Sequence, residues 1–164
     1  MRSGPLIIGY DGAPAAERAV RESAALFAPR RALVVVVWEA GRAFEAATLP
    51  VKALEPAATL DVRGGFEAEK AAYEAAQRVT EQGAALAREA GLSADGLAVA
   101  DEVTVSETLA RVAREVDAPA LVIGDRRHRQ RARLTLGSTL SGLLRQAPCP
   151  VLVCGGRSDD NDSG

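Results

Sequence analysis

Between Gly124 and Thr139 the chain reads GDRRHRQRARLTLGST, which sets five arginines and the only histidine between one glycine and a later Gly-Ser-Thr. Arg126, Arg127, Arg129, Arg131 and Arg133 against Asp125 give this stretch a net +4, whereas the whole chain carries −2, so the remainder sums to −6. Planar guanidinium groups match phosphate oxygens two donors at a time. A helix opening at Gly137-Ser138-Thr139 adds unpaired backbone N–H groups and two hydroxyls, the chemistry of an anion site. Gly124, directly after an apolar run, has no side chain to hold a ligand off the backbone. The combination reads as a phosphate cradle. Two plainer readings compete with it: a solvated charge run and an ordinary helix start. Nucleic acid fits less well, because a single-strand binder needs aromatic platforms and this loop has none. Nor is it a Walker loop: no Gly-Lys pair occurs, the only lysines are Lys52 and Lys70, and there is no G-x-G-x-x-G.

Other chemistry is sparse. Cys149 and Cys154 lie five apart in PCPVLVC; in a strand they point to opposite faces about 16 Å apart, too far for a disulfide. They read as reduced, packed thiols. One histidine and no clustered ligand spacing leave no transition-metal set, so Mg²⁺ enters only with a nucleotide. His128 sits alone among the arginines and reads as a surface residue. No Ser-His-Asp set or spaced carboxylate pair suggests an enzyme; the hydroxyls of Ser138 and Thr139 offer at most slow ATP hydrolysis or self-phosphorylation.

The elements that must position these groups follow from periodicity. At 164 residues the chain fits one domain, and with 48% hydrophobic but only 4% aromatic residues its core is built from Ala, Val, Leu and Ile. No apolar run reaches the about 20 residues of a membrane span, and MRSGPLIIGYDG lacks a signal peptide's apolar stretch, so the expected address is the cytoplasm. LIIG at 6–9 predicts a strand ending in a Tyr-Asp-Gly turn, then a helix from Pro14 with Ala16, Ala19, Val20, Ala24 and Phe27 on one face. ALVVVVW at 32–38 predicts a strand covered on both faces and central in the sheet. Residues 39–65 carry two prolines and a Gly-Gly and read as a long connection. A helix is expected from Phe66 to about Ala90, a strand at 97–100, and a helix capped by Ser106. A strand at 120–124, a short helix from Gly137-Ser138 and a strand at 150–154 complete the series. The tail 156–164 is acidic and reads as disordered. Apolar strands alternating with helices imply an α/β fold, an open, mostly parallel sheet with helices on both faces, whose ligands bind at the carboxyl ends of the strands. Those ends gather Gly9 to Asp11, Val37 to Glu39 and Gly124 to Arg127.

IIGYDG, VVVVW and VIGDRRHRQRARLTLGSTLSGLLRQAPCPVLVC together resemble the universal stress protein family, whose nucleotide-binding members carry G-x-x-G, nine residues, then G-[ST]. Gly124, nine residues after position 127, and Gly137-Ser138 keep that spacing, with Arg127 standing at the second glycine. The likeness spans about residues 5–155 and implies a domain over 1–155. Its implications are a Rossmann-like five-stranded sheet of order 3-2-1-4-5, a homodimer through Val151–Cys154, and a stress-response protein binding ATP, ADP or AMP. The residues implied are Gly9 and Asp11 at the first turn, Val37 at adenine, and Gly124, Arg127, Gly137, Ser138 and Thr139 at the phosphates. The alternative is a nucleotide-free dimeric interaction module of the same fold, with Arg127 closing the site.

Overall fold

Runs of β-branched and aliphatic residues too short for helices form the strands. Pro14, Thr104 and Gly137 mark where three of the helices begin. The computed structural model describes residues 2–41, 62–101, 103–125 and 137–155. The arginine run with Arg127 and His128, the connection 42–61 and the tail 156–164 lie outside the described residues. In chain order the elements are β1 (Leu6–Gly9), α1 (Pro14–Phe27), β2 (Arg31–Glu39), α2 (Val62–Glu89), β3 (Ser93–Asp101), α3 (Val105–Glu115), β4 (Leu121–Gly124), α4 (Ser138–Gln146) and β5 (Val151–Cys154).

The strands pair in parallel in the order β3-β2-β1-β4-β5. Strand alternation divides the core in two. Leu6 and Ile8 point to one face, where α1 and α2 cover them with Ala16, Val20, Ala76 and Ala87. Ile7 points to the other, against Leu109, Val112 and Ala113 of α3 and Leu140 and Leu143 of α4. Ile7, Ile8 and Leu143 are wholly buried, each worth about 2–3 kcal/mol relative to exposure. Helices therefore lie on both faces, as the alternation implied.

Local expectations need adjusting. The middle strand is β1; β2 is interior beside it, and its longer apolar run reflects its length and two flanking strands. β3 starts at Ser93, because its first four residues, Ser-Ala-Asp-Gly, pair with β2 from Arg31 to Val34 despite their polarity. The long helix α2 starts at Val62 and takes in Gly64-Gly65, shortening the expected connection. The cap of α3 is Thr104, whose Oγ1 accepts the Glu107 N–H at 3.2 Å. Ser106 is instead buried inside the first turn, with its Oγ 3.1 Å from the Gln146 amide of α4.

Candidate functional site

The site originates in a mismatch of strand lengths. Pairing between β1 and β2 stops at Gly9↔Val35, while β2 continues alongside β3 to Glu39↔Asp101. Tyr10 still donates its N–H to the Val35 carbonyl at 2.9 Å, and then the chain turns away through Gly12, at φ 77°. The direction of chain crossover reverses between β1 and β4, which is where an open α/β sheet leaves a crevice. A cleft of about 510 Å³ occupies that place.

Of the expected site residues, Gly9, Asp11, Val37, Gly124, Gly137, Ser138 and Thr139 all line this one cleft. Arg127 lies outside the described residues. The walls also include Tyr10, Glu39 and Asp125, which lie within the strand ends the sequence gathers at the crevice but to which it assigns no role, and Val35, Val105, Leu109, Ile123 and Leu140, which it does not place there. Val35 and Glu39 were within reach of the sequence, since alternation places them on the same face as Val37. Val105 and Leu109 required knowing how α3 packs, which periodicity does not give.

The two motif glycines differ in their physical reasons. A Cβ on Gly124 would overlap the Ala15 carbonyl and lie 2.9 Å from the Ala16 nitrogen, so this glycine lets the first turn of α1 sit against the end of β4. Its glycine character is therefore a packing requirement, and not only a means of ligand approach. At Gly137 a Cβ would meet nothing within 4 Å among the described residues. Gly137 is the N-cap of α4 and supplies no side-chain cap, and its carbonyl accepts the Ser141 N–H at 2.9 Å. The N–H groups of Ser138, Thr139 and Leu140 precede the first intrahelical bond and stand at the cleft wall. This end of the cleft is suited to an anion.

Asp11 accepts the Ala13 N–H at 2.9 Å, closing an Asx turn, while Ala13 itself is the N-cap of α1. The carboxylate is thus held at the mouth of the cleft by the turn that follows β1. At the opposite, β2 end the floor is apolar, with Val35 and Val37 side by side along one strand. Tyr10 is buried beneath Gly83 of α2, and burial raises its phenol pKa, keeping it neutral. Among the described lining residues are Asp11, Glu39 and Asp125 and no lysine or arginine.

Trp38, on the cleft strand β2 but facing the opposite side, packs its ring at a tilt of 53° against Tyr73 of α2, with ring centroids 5.7 Å apart. The two cysteines are free thiols on opposite faces: Cys154 packs with the α1 side and Cys149 with the α3 side. Burial, reinforced by its hydrogen bond to Glu22, pushes the Cys154 thiol up to about 12. Burial raises Cys149 as well. Neither is a thiolate at neutral pH. The described residues contain no group of His, Cys, Asp and Glu able to hold a metal ion, and no described helix is long and apolar enough to cross a membrane.

Fold and cleft together define a doubly wound α/β domain with a ligand crevice at its switch point. The universal stress protein family model matches residues 4–155. The chain belongs to the universal stress protein family. Solved structures of similar fold include a universal stress protein from Archaeoglobus fulgidus, 21% identical, with a TM-score of 0.64 over 92% of this chain and 98% of that one. The same organism's protein in complex with dAMP is 23% identical, with a TM-score of 0.57 over 93% and 98%. A universal stress protein family member from Arabidopsis thaliana with AMP bound is 14% identical, with a TM-score of 0.61 over 98% and 97%. No curated protein gives a significant match.

Proposed function

We propose that this protein is an adenine-nucleotide-binding regulatory protein of the stress response, with ATP as its preferred ligand. The observation that carries this reading is the convergence of Asp11, Val37, Gly124, Gly137, Ser138 and Thr139 on one cleft at the switch point. Relatives of the same fold bound to dAMP and AMP support it. The phosphates would lie at the start of α4, the ribose near Asp11 at the end of β1, and adenine beside Val37, which unlike Val35 is only half-buried. Val37 suits the base for a backbone reason. Since the Val35 carbonyl points towards β1, the Val37 N–H and C=O, two residues on, point the same way, where β1 no longer runs. One donor and one acceptor then face the base edge. The protein would act through shape or partner choice, as a cytoplasmic homodimer formed by the domain 1–155 with 156–164 as its tail. Mg²⁺ would enter only with the nucleotide.

The acidic lining favours a second reading, a nucleotide-free interaction module of the same fold. Asp11, Glu39 and Asp125 repel a triphosphate of about four charges unless cations offset them. The five arginines that directly follow Asp125 in sequence are the source of that compensation in our reading. Arg127 then replaces the backbone contact of a glycine by a bidentate side-chain one.

Calorimetric titration of three proteins separates the readings. With a retained site, the native chain binds ATP more tightly than AMP and loses affinity as salt shortens the Debye length below about 8 Å. Arg127→Gly then leaves ATP affinity unchanged or modestly weaker, and Arg127→Glu abolishes the preference for ATP. With an occluded site, the native chain binds nothing and Arg127→Gly creates ATP binding. The second pattern overturns our reading. Nucleotide released on denaturing the purified protein is the quicker companion test.

A further inference from the structure

The anion end of the cleft is the start of α4, so a phosphate there is held only as well as α4 is placed; the inference below rests on the nucleotide reading. Ser138, Gly142 and Gln146 recur every four residues and share one face of α4. That face borders a common space with Thr104, Ser106 and Glu107 at the start of α3. Ser106 makes the contact across it and is only 5% exposed. Its Oγ accepts the Gln146 amide at 3.1 Å and lies 3.2 Å from the Thr104 hydroxyl. Its side chain also fills the room that a Cβ on Gly142 would need: the added carbon would stand 2.2 Å from the Ser106 Oγ and 2.7 Å from its Cβ. The hydroxyl can rotate out of such an overlap, but a Cβ fixed to α3 cannot. Carbons in contact stand about 3.5–4.0 Å apart, so a side chain at position 142 drives α4 from α3 by roughly 1 Å.

We propose that Ser106 is a positioning residue for the phosphate end of the cleft, and that position 142 is glycine so that α4 can seat on it. Ser138 precedes Gly142 by about one turn, roughly 6 Å along the axis, and a helix carries a shift over that distance as a rigid body. Hydrogen bonds from the N–H groups and hydroxyls of Ser138 and Thr139 to a phosphate need about 2.7–3.2 Å, so a shift of roughly 1 Å forfeits them. The nucleoside half lies against Asp11 and Val37, on other elements, and does not follow the shift.

The test is the ratio of ATP to adenosine affinity, measured by calorimetry in the native chain, in Gly142→Ala and in the exchange variant Ser106→Gly/Gly142→Ala. In Gly142→Ala the ratio should fall at least about tenfold, the loss of one hydrogen bond to a charged group, with adenosine affinity close to native. Alanine is the better helix former, so a weakened α4 does not account for that fall, and a general defect lowers both ligands alike. The exchange variant removes the blocking Cβ from α3 and should bring the ratio back to within about threefold of native, because the two positions act through one contact. Where Gly142→Ala does not fold, Gln146→Ala releases the tie to Ser106 without added bulk and should lower the ratio about threefold. An unchanged ratio in Gly142→Ala, or in Gln146→Ala where only that variant folds, overturns the inference and leaves nucleotide binding intact. A fall that the exchange variant does not repair overturns it as well. Failure of the native chain to bind either ligand overturns the nucleotide reading and the inference with it.

Discussion

At the scale of single residues, the family spacing hides two different physical demands. Gly124 is compelled by the fold: any side chain there enters the backbone of Ala15 and Ala16. Gly137 faces open space among the described residues, at the wall of the cleft. Gly124→Ala should therefore cost stability, about 3 kcal/mol or more, because the overlap is with backbone that cannot rotate away. Gly137→Ala should stay within about 1 kcal/mol of the native chain, the usual difference between cap residues. Nucleotide affinity should drop nonetheless in Gly137→Ala, since the added methyl group stands where the phosphates are proposed to lie. Urea unfolding together with calorimetry checks both halves, and equal stability losses for the two variants would show that the distinction is wrong. Seven of the eight expected site residues fall on the cleft. They were legible because each lies near the carboxyl end of an apolar strand, in the turn that follows one, or at a helix start, where sequence signals are strongest. Glu39 and Asp125 were gathered at the crevice with the strand ends but given no role, because the family spacing that assigns the site does not include them.

At the scale of elements, helix starts were readable in kind but not always to the residue. Thr104-Val105-Ser106-Glu107 has the spacing of a capping box, a threonine followed three residues later by a glutamate. Thr104 fills that role, with extended backbone at φ −144° and the Glu107 N–H bonded to its hydroxyl. Ser106 is an equally good cap by residue type, but it has Leu109 rather than an acid three residues on and is buried against α4, where a Cβ on Gly142 would press on its side chain. Thr104→Ala should lower stability by about 1 kcal/mol, with Thr104→Ser close to native. The expected signature is a lower urea midpoint with an unchanged slope, because capping affects one helix end and not the area exposed on unfolding. A native midpoint in Thr104→Ala would return the cap to another residue. β3 and α2 were each begun too late for a related reason. Ser-Ala-Asp-Gly and Gly64-Gly65 have poor local propensity, and pairing with β2 in one case and helix continuation in the other overrode it.

At the scale of the whole molecule, the sheet leaves two edges, β3 and β5, and they are not alike. β3 carries Asp95, Gly96 and Asp101, the kind of polar residues that discourage edge pairing. β5 reads Val-Leu-Val-Cys, its first three residues half-buried, and among the described residues it pairs only with β4. An apolar edge with unpaired backbone groups is a template for a second strand, and the same strand from another copy is always at hand. We therefore expect a two-fold dimer through Val151–Cys154. Four residues alone fall short of the about 800 Å² per partner of a stable interface, so surfaces flanking β5 must join it. Val151 and Val153 pack against the α3 and α4 core from one face of the edge strand, and a lysine at either position puts a charge beside the paired backbone. Val151→Lys and Val153→Lys should then sediment as monomers, with circular dichroism showing that the fold is kept. Leu144→Lys, at an exposed position of α4, is the control for added charge alone and should sediment as the native chain does. Folded dimers in both valine variants would move the interface away from β5.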